Sequence, residues 1–249
     1  MPGDVVLTEI SNDWAAACEV QQGFMRGRSP LIESFDYSAR CRQVHALGGD
    51  FYDVMPLPDD RVAFAIGDAS GKGFAAALMS ANVQSSLRTA AWLAGGDGVP
   101  ALTAVNRQVH ASSLDGRYAT LFFGVFDRAA RTLRYVNAGH HPPMIIRRDG
   151  TMVWLETGGA PVGMFPDWPY EEGVVQLKAG DTILAYTDGV IEIENPHAEE
   201  WGIEALQTAA VDSEIFCAAD VVRAIFLAMD EFSGGCQLDD ATVIAVRVH

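Results

Sequence analysis

The stretch GGDFYDVMPLPDDRVAFAIGDASGKG, Gly48 to Gly73, reads as two short strands joined by a tight turn. Apolar residues alternate through Phe51 to Met55 and again through Val62 to Ile66, with Pro56, Pro58, Asp59 and Asp60 between them. Folding this hairpin about Pro58 and Asp59 brings Asp50 opposite Gly67 and Asp68. Side chains change face at every residue of a strand, so Asp68 continues the apolar face of Val62, Phe64 and Ile66, the side expected to be buried. Opposite residues on paired strands lie roughly 5 Å apart, and two bare carboxylates at that distance repel by about 3 kcal/mol at an effective dielectric near 20. A proton or a cation is needed to settle that repulsion. The glycines around the pair, Gly48, Gly49, Gly67, Gly71 and Gly73, suit a backbone that turns sharply or comes close to an ion.

Downstream of the hairpin, Phe74 to Leu93 has a helical period, with Ala76, Met79, Val83, Leu87 and Ala90 on one face. Pro100 opens a third helix with Leu102, Val105 and Val109 inward. From Arg117 the period changes to strands: Tyr118 to Asp127, Leu133 to Val136, Pro143 to Arg147 and Met152 to Leu155. A loop rich in Gly and Pro spans Thr157 to Pro169, and a further hairpin pairs Gly173 to Leu177 with Thr182 to Thr187. Helices are expected over Glu199 to Ala209 and Ala219 to Phe232, and a last strand over Ala241 to Val248. Hairpin-linked strands with helices between them indicate an antiparallel α+β architecture, two sheets packed face to face with helices outside.

Upstream, Leu7, Ile10, Trp14, Ala17, Gln21 and Phe24 mark a helix over Thr8 to Met25, with Ser11 as a candidate cap and Gly27 and Pro30 ending it. Such a helix can pack on the core, on a second copy of itself to give a homodimer, or on a regulator. Residues 1–30 are therefore set apart as a helical linker, and 31–249 as the main domain.

The composition narrows the function. Thirty-three acids against 17 bases give a net charge of -16, and no basic run occurs, which argues against a nucleic-acid surface. No apolar run approaches the ~20 residues needed to cross a bilayer, and the N-terminus carries acids where a signal peptide carries positive charge. A cytoplasmic protein with no membrane partner is the expectation. Cys18, Cys41, Cys217 and Cys236 form no C-x-x-C pair, so neither a zinc cage nor a disulfide framework is suggested.

Two further acidic sites share the setting of the first pair. Asp188 follows an apolar strand and precedes Gly189, and Asp239 and Asp240 sit just ahead of the strand from Ala241. In antiparallel pairing the end of one strand lies beside the start of its neighbour, so Asp50, Asp68, Asp188 and Asp239 are expected to share one edge. Oxygen donors without His or Cys suit Mg2+ or Mn2+. Two such ions about 4 Å apart can activate a water for in-line displacement at phosphorus, which points to phosphoester hydrolysis.

In order along the chain, GGDFYD, GDASGKG, NAGHHPP, GDTILAYTDG and LDDATVIAV resemble motifs of the metal-dependent PPM phosphatases of the bacterial SpoIIE/RsbU type, relatives of protein phosphatase 2C. The resemblance runs from about Asp36 to the C-terminus. It implies a PPM-type α-β-β-α sandwich and dephosphorylation of phosphoserine or phosphothreonine on a protein. It also implies a substrate of the kind typical there, a phosphorylated STAS-domain anti-sigma-factor antagonist whose dephosphorylation starts partner switching. Carried over by residue, Asp50, Asp68, Asp188 and Asp239 look like carboxylate ligands of a centre of two Mn2+ or Mg2+ ions, and Ala69 like a backbone-carbonyl ligand. Asp240 matches a position outside the ligand set, and Asp53, on the other face of its strand, is a lesser candidate.

The chain also departs from the pattern. Ser70 stands where the protein phosphatase 2C branch has a His, which leaves the general acid unassigned, and His45 stands where relatives often have Arg or Lys. Lys72 and Arg42 are the alternatives for holding phosphate. His140 and His141 face opposite ways if extended, so structural roles are expected for them. Three rival readings compete. A nucleotide-binding loop at Gly71 to Ala76 fails because no acid follows about 20 residues on and the next units are hairpins. A non-catalytic PPM-like binding module, and a hydrolase of small phosphoesters, are separated from the first reading by assay.

Overall fold

The computed structural model describes residues 2–25, 35–113, 116–211 and 217–249, with side chains from residue 13 onward. One sheet has strand order β2 (Asp50–Leu57), β3 (Arg61–Ala69), β4 (Ala119–Asp127), β5 (Thr132–Ala138) and β8 (Gly158–Gly159), and β9 (Gly173–Gln176) also pairs with β5. The other has the order β1 (Phe35–Arg42), β11 (Ala241–Val248), β10 (Thr182–Tyr186), β6 (Met144–Ile146) and β7 (Met152–Trp154). Helices α2 (Gly73–Leu93) and α3 (Gly98–Ser112) cover the first sheet, and α5 (Gly202–Ala210) and α6 (Ala218–Ser233) cover the second.

Strand alternation produces these layers. On β3, Val62, Phe64 and Ile66 point between the sheets and meet Ile183, Ile244 and Val246 from the other sheet. The intervening Ala63, Ala65 and Ala69 face α2, whose Ala76, Met79, Val83 and Leu87 pack onto that side. Small residues there let the helix lie close, while the large ones fill the space between the sheets. On the far side, Leu184, Tyr186, Val243 and Ala245 face Leu206, Val222, Ile225 and Phe226 of the covering helices. The result is the expected α-β-β-α sandwich.

Several local expectations change. Pro56 belongs to β2, opposite Val62, rather than to the turn. β2 is an edge strand, where a missing N–H costs little. The turn proper is Pro58 to Asp60, with Asp59 and Asp60 at φ 58° and 59°. The Gly/Pro loop contains β8, which pairs parallel with Asn137 and Ala138 of β5. There a Cβ on Gly158 would meet the Asn137 carbonyl oxygen at 1.9 Å, so only glycine fits. A one-turn helix, α4 (Asp188–Ile191), follows β10. α1 extends over Pro2–Met25, so Ser11 lies inside it instead of capping it. Gly27 and Pro30 lie outside the described residues.

Candidate metal centre

Asp50 and Asp68 are register partners at one end of the β2–β3 pair, and both side chains point between the sheets. Asp50 is 1% exposed. Its Oδ2 accepts hydrogen bonds from Thr187 Oγ1 and Thr242 Oγ1, each 2.7 Å away and each from the opposite sheet. The two threonines are themselves tied together: Thr242 N–H donates to Thr187 Oγ1 at 2.9 Å, and Thr187 N–H donates to the Thr242 carbonyl at 3.0 Å. Burial pushes the Asp50 carboxyl well above its ordinary range, and the neighbouring Asp68 adds to this against the two hydroxyl donors.

Asp68 is half-buried, and its pKa is raised to about 7, first by burial and then by Asp188, Asp239 and Asp240, with Lys72 opposing. The acids therefore do converge, but from two sheets across the sandwich and not along one sheet edge. β2 and β3 supply Asp50 and Asp68, whereas the end of β10 and the approach to β11 supply Asp188 and Asp239. That second half requires glycine: a Cβ on Gly189 would lie 2.0 Å from the Asp240 carbonyl oxygen. Gly189 N–H also donates to Asp188 Oδ1 at 2.8 Å.

Asp239 is exposed. Its Oδ1 accepts from Asp240 N–H at 2.9 Å and its Oδ2 from Lys72 Nζ at 2.8 Å. Asp240 has both oxygens on backbone donors, Val44 N–H at 2.8 Å and Gly49 N–H at 3.0 Å, and so positions the segment leading into β2. Gly49 accepts from Ala69 N–H at 3.2 Å, and a Cβ on Gly49 would lie 2.8 Å from the Ala69 carbonyl oxygen and 2.9 Å from Asp68 Oδ1. A side chain there would fill the space in front of the Ala69 carbonyl and the Asp68 carboxylate. Two open cavities of about 190 and 200 Å³ adjoin at Asp68. The first is lined by His45, Lys72, Asp239 and Asp240, and the second by Thr120, His140, His141 and Asp188.

Asp53, Arg42 and Ser70 do not line these cavities. Asp53 is buried on the α2 side of its strand, paired with Arg88 and bonded to Gln84. Arg42 pairs with Asp230 and lies over the Phe226 ring. Ser70 Oγ accepts from Tyr118 N–H at 3.1 Å. His140 is buried, with Nδ1 2.9 Å from Thr120 Oγ1, and burial pushes its pKa down to about 3. Thr187 and Thr242 are the site residues that motif reading missed. Their only sequence signal is a hydroxyl beside each of the two later acidic motifs.

Near one end of the sandwich these acids and the Ala69 carbonyl present oxygen only, and burial, then the neighbouring carboxylates, favours the protonated form of Asp50 and Asp68. That chemistry fits hard divalent cations. A family model described as Stage II sporulation protein E (SpoIIE) matches residues 58–249. The chain belongs to the SpoIIE family. Asp50 lies just ahead of the stretch matched by the SpoIIE model. This SpoIIE-family chain is 28% identical over 263 residues to Protein IcfG of Synechocystis sp., a match that covers 92% of it and 40% of that protein. It is 26% identical over 253 residues to the phosphoserine phosphatase RsbU of Bacillus subtilis, covering 97% of the chain and 72% of that protein. Among solved structures, the SiaA-PP2C domain of Pseudomonas aeruginosa superposes with a TM-score of 0.85 at 20% identity, over 98% and 99% of the two chains. The RsbU and RsbW domains of Rv1364c from Mycobacterium tuberculosis give 0.71 at 28% identity, over 88% and 61%. The sandwich is thus the PP2C-type phosphatase fold, in its SpoIIE/RsbU-like form. Among the described residues no helix is long and apolar enough to cross a membrane.

Proposed function

We propose that this chain hydrolyses phosphoserine or phosphothreonine on a protein. In this reading two divalent cations, Mn2+ or Mg2+, are held by Asp50, Asp68, Asp188 and Asp239 with the Ala69 carbonyl. The observation on which it rests is the convergence of mutually repelling acids on Asp68, whose carboxyl is raised to about 7 by burial and three neighbouring aspartates. A fold neighbour, the catalytic domain of the phosphatase PstP, is described in complex with 2 manganese ions, which supports the same number here.

When bound, such cations supply Lewis acidity toward water and toward the phosphoryl oxygens. The chain's own residues do the positioning. Thr187 and Thr242 hold one oxygen of Asp50 from across the sandwich and so fix where its carboxylate points. Asp240 fixes Gly49, and with it the open space in front of the Ala69 carbonyl. Lys72 lies at the mouth beside Asp239, within reach of an incoming anion.

For substrate, we infer a phosphorylated STAS-domain antagonist of an anti-sigma factor. Support comes from the relatives RsbU and RsbP of Bacillus subtilis, both phosphoserine phosphatases, and from the neighbour that joins RsbU and RsbW domains. An upstream regulator acting through α1 completes the proposal. The test compares a phosphorylated STAS protein with para-nitrophenyl phosphate in Mn2+, with and without EDTA, for the wild type and for Asp68→Asn and Asp188→Asn. Turnover that prefers the phosphoprotein and falls at least about a hundredfold with EDTA or either substitution is expected. Preference for the small ester indicates a small-molecule hydrolase, and no turnover in Mn2+ indicates a binding module; either result overturns the proposal.

A further inference from the structure

β4 pairs with β3 so that Thr120 lies opposite Asp68 and Ala119 opposite Ala69. Just ahead of β4 the two chain segments stay tied: Ser70 N–H donates to the Tyr118 carbonyl at 2.9 Å, and Tyr118 N–H donates to Ser70 Oγ at 3.1 Å. Arg117 is thereby carried to the turn that follows Asp68. Its Nη1 lies 3.3 Å from where a Cβ on Gly71 would stand, and Gly71, at φ 100°, lines the 190 Å³ cavity with Asp68, His45 and Lys72. On the other side the Arg117 carbonyl meets Gly163, where a Cβ would lie 3.3 Å from that oxygen and 2.5 Å from Val109 Cγ1. The backbone of Arg117 is held from both sides, and its guanidinium is set against the glycine turn at the rim of the cavity.

That guanidinium has no partner of its own. The other half-buried arginines among the described residues each have one: an aspartate for Arg42, Arg61, Arg128 and Arg147, and the Thr182 hydroxyl for Arg247. Arg117 is half-buried with neither, in a chain of net charge -16. Lys72, a second cation at this mouth, already sits on Asp239 at 2.8 Å. The planar fork of an arginine fits a carboxylate or a phosphate through two parallel hydrogen bonds. Position decides between them. Arg117 lines neither cavity at Asp68, so it lies outside the space in which a phosphoryl group would react. What crosses it is the polypeptide beside the phosphorylated residue, and the anion such a chain offers is the side chain of Asp or Glu.

We propose that Arg117 selects phosphoproteins that carry Asp or Glu close to the phosphorylated residue, by binding that carboxylate at the rim of the metal centre. The inference rests on the proposed function, since it names a feature of the substrate of the same site. The surrounding charge sharpens the choice. An acidic substrate is repelled by the chain as a whole, so an acid that misses the guanidinium is disfavoured, and one that meets it fixes the register of the polypeptide across the site.

The test uses the full chain in Mn2+ and a pair of phosphoserine peptides that differ only in Asp or Asn on either side of the phosphoserine. The quantity read is the ratio of kcat/KM for the Asp peptide to that for the Asn peptide, in the wild type, Arg117→Gln and Arg117→Lys. A ratio of about ten or more is expected in the wild type, carried mainly by KM, falling to about one in Arg117→Gln and part-way in Arg117→Lys. A wild-type ratio near one overturns the assignment. So does a ratio that survives in Arg117→Gln, including the case where both peptides slow equally, which marks a merely structural residue. If neither peptide is turned over, the proposed function fails, and the same ratio taken from peptide affinities by fluorescence anisotropy decides the role of Arg117 by itself.

Discussion

Asp50 and Asp68 face each other inside a sandwich of overall charge -16, and their surroundings favour the protonated form of both. For Asp68 the folded value of about 7 lies above the unfolded 3.8, so between those limits the folded state binds more protons and loses stability as pH rises. His140 works the other way: pushed down to about 3 when folded, it costs stability as pH falls below its ordinary 6.5. Comparison with Asp68→Asn removes the His140 contribution. In EDTA, the melting temperature of the wild type should fall relative to Asp68→Asn as pH rises from 5 to 8, and saturating Mn2+ should reverse the order; parallel curves contradict the assignment. Thr242→Val removes one of two donors to a buried carboxylate, so the Mn2+-loaded protein should lose about 1.5–3 kcal/mol in urea unfolding. The pairing of Asp50 with Asp68 was legible from strand alternation alone. The threonine clamp was not, because hydroxyls near an acid are common in sequence and only the meeting of the sheets makes these two donors.

Helices and strands were legible wherever period and length agreed: the last strand, Ala241 to Val248, has the expected bounds, and α2 begins one residue earlier than read. Short elements set by tertiary contact escaped. β8 exists because Gly158 and Gly159 can lie against β5, and α4 because the chain must turn at once after Asp188. Asp53, set aside as a lesser ligand, instead ties β2 to α2 through Arg88. Gly189→Ala tests the join between α4 and the approach to β11. Its Cβ meets a backbone oxygen that cannot move aside, so a loss of about 1–3 kcal/mol and weaker Mn2+ binding by calorimetry are expected. On α1, Gln21 is buried against Gly48 while Val20 and Phe24 are 60% and 42% exposed. A homodimer through this helix should give light scattering near twice 26.8 kDa at micromolar concentration, and a monomer mass removes that idea.

At the scale of the molecule, the two sheets are hydrogen-bonded separately, and each supplies only half of the acidic set. From sequence the four acids are expected on one sheet edge, because strand ends are all that pairing rules can compare. Which sheet each strand joins depends on how β1 reaches β11 and how β2 begins a second sheet, and local pattern does not carry that. The sandwich closes the gap by placing Thr187 and Thr242 of one sheet on Asp50 of the other. Anomalous scattering from a crystal soaked in Mn2+ tests this most directly. Two peaks among Asp50, Asp68, Asp188, Asp239 and the Ala69 carbonyl are expected, and manganese bound elsewhere, or not at all, would contradict a centre built from both sheets.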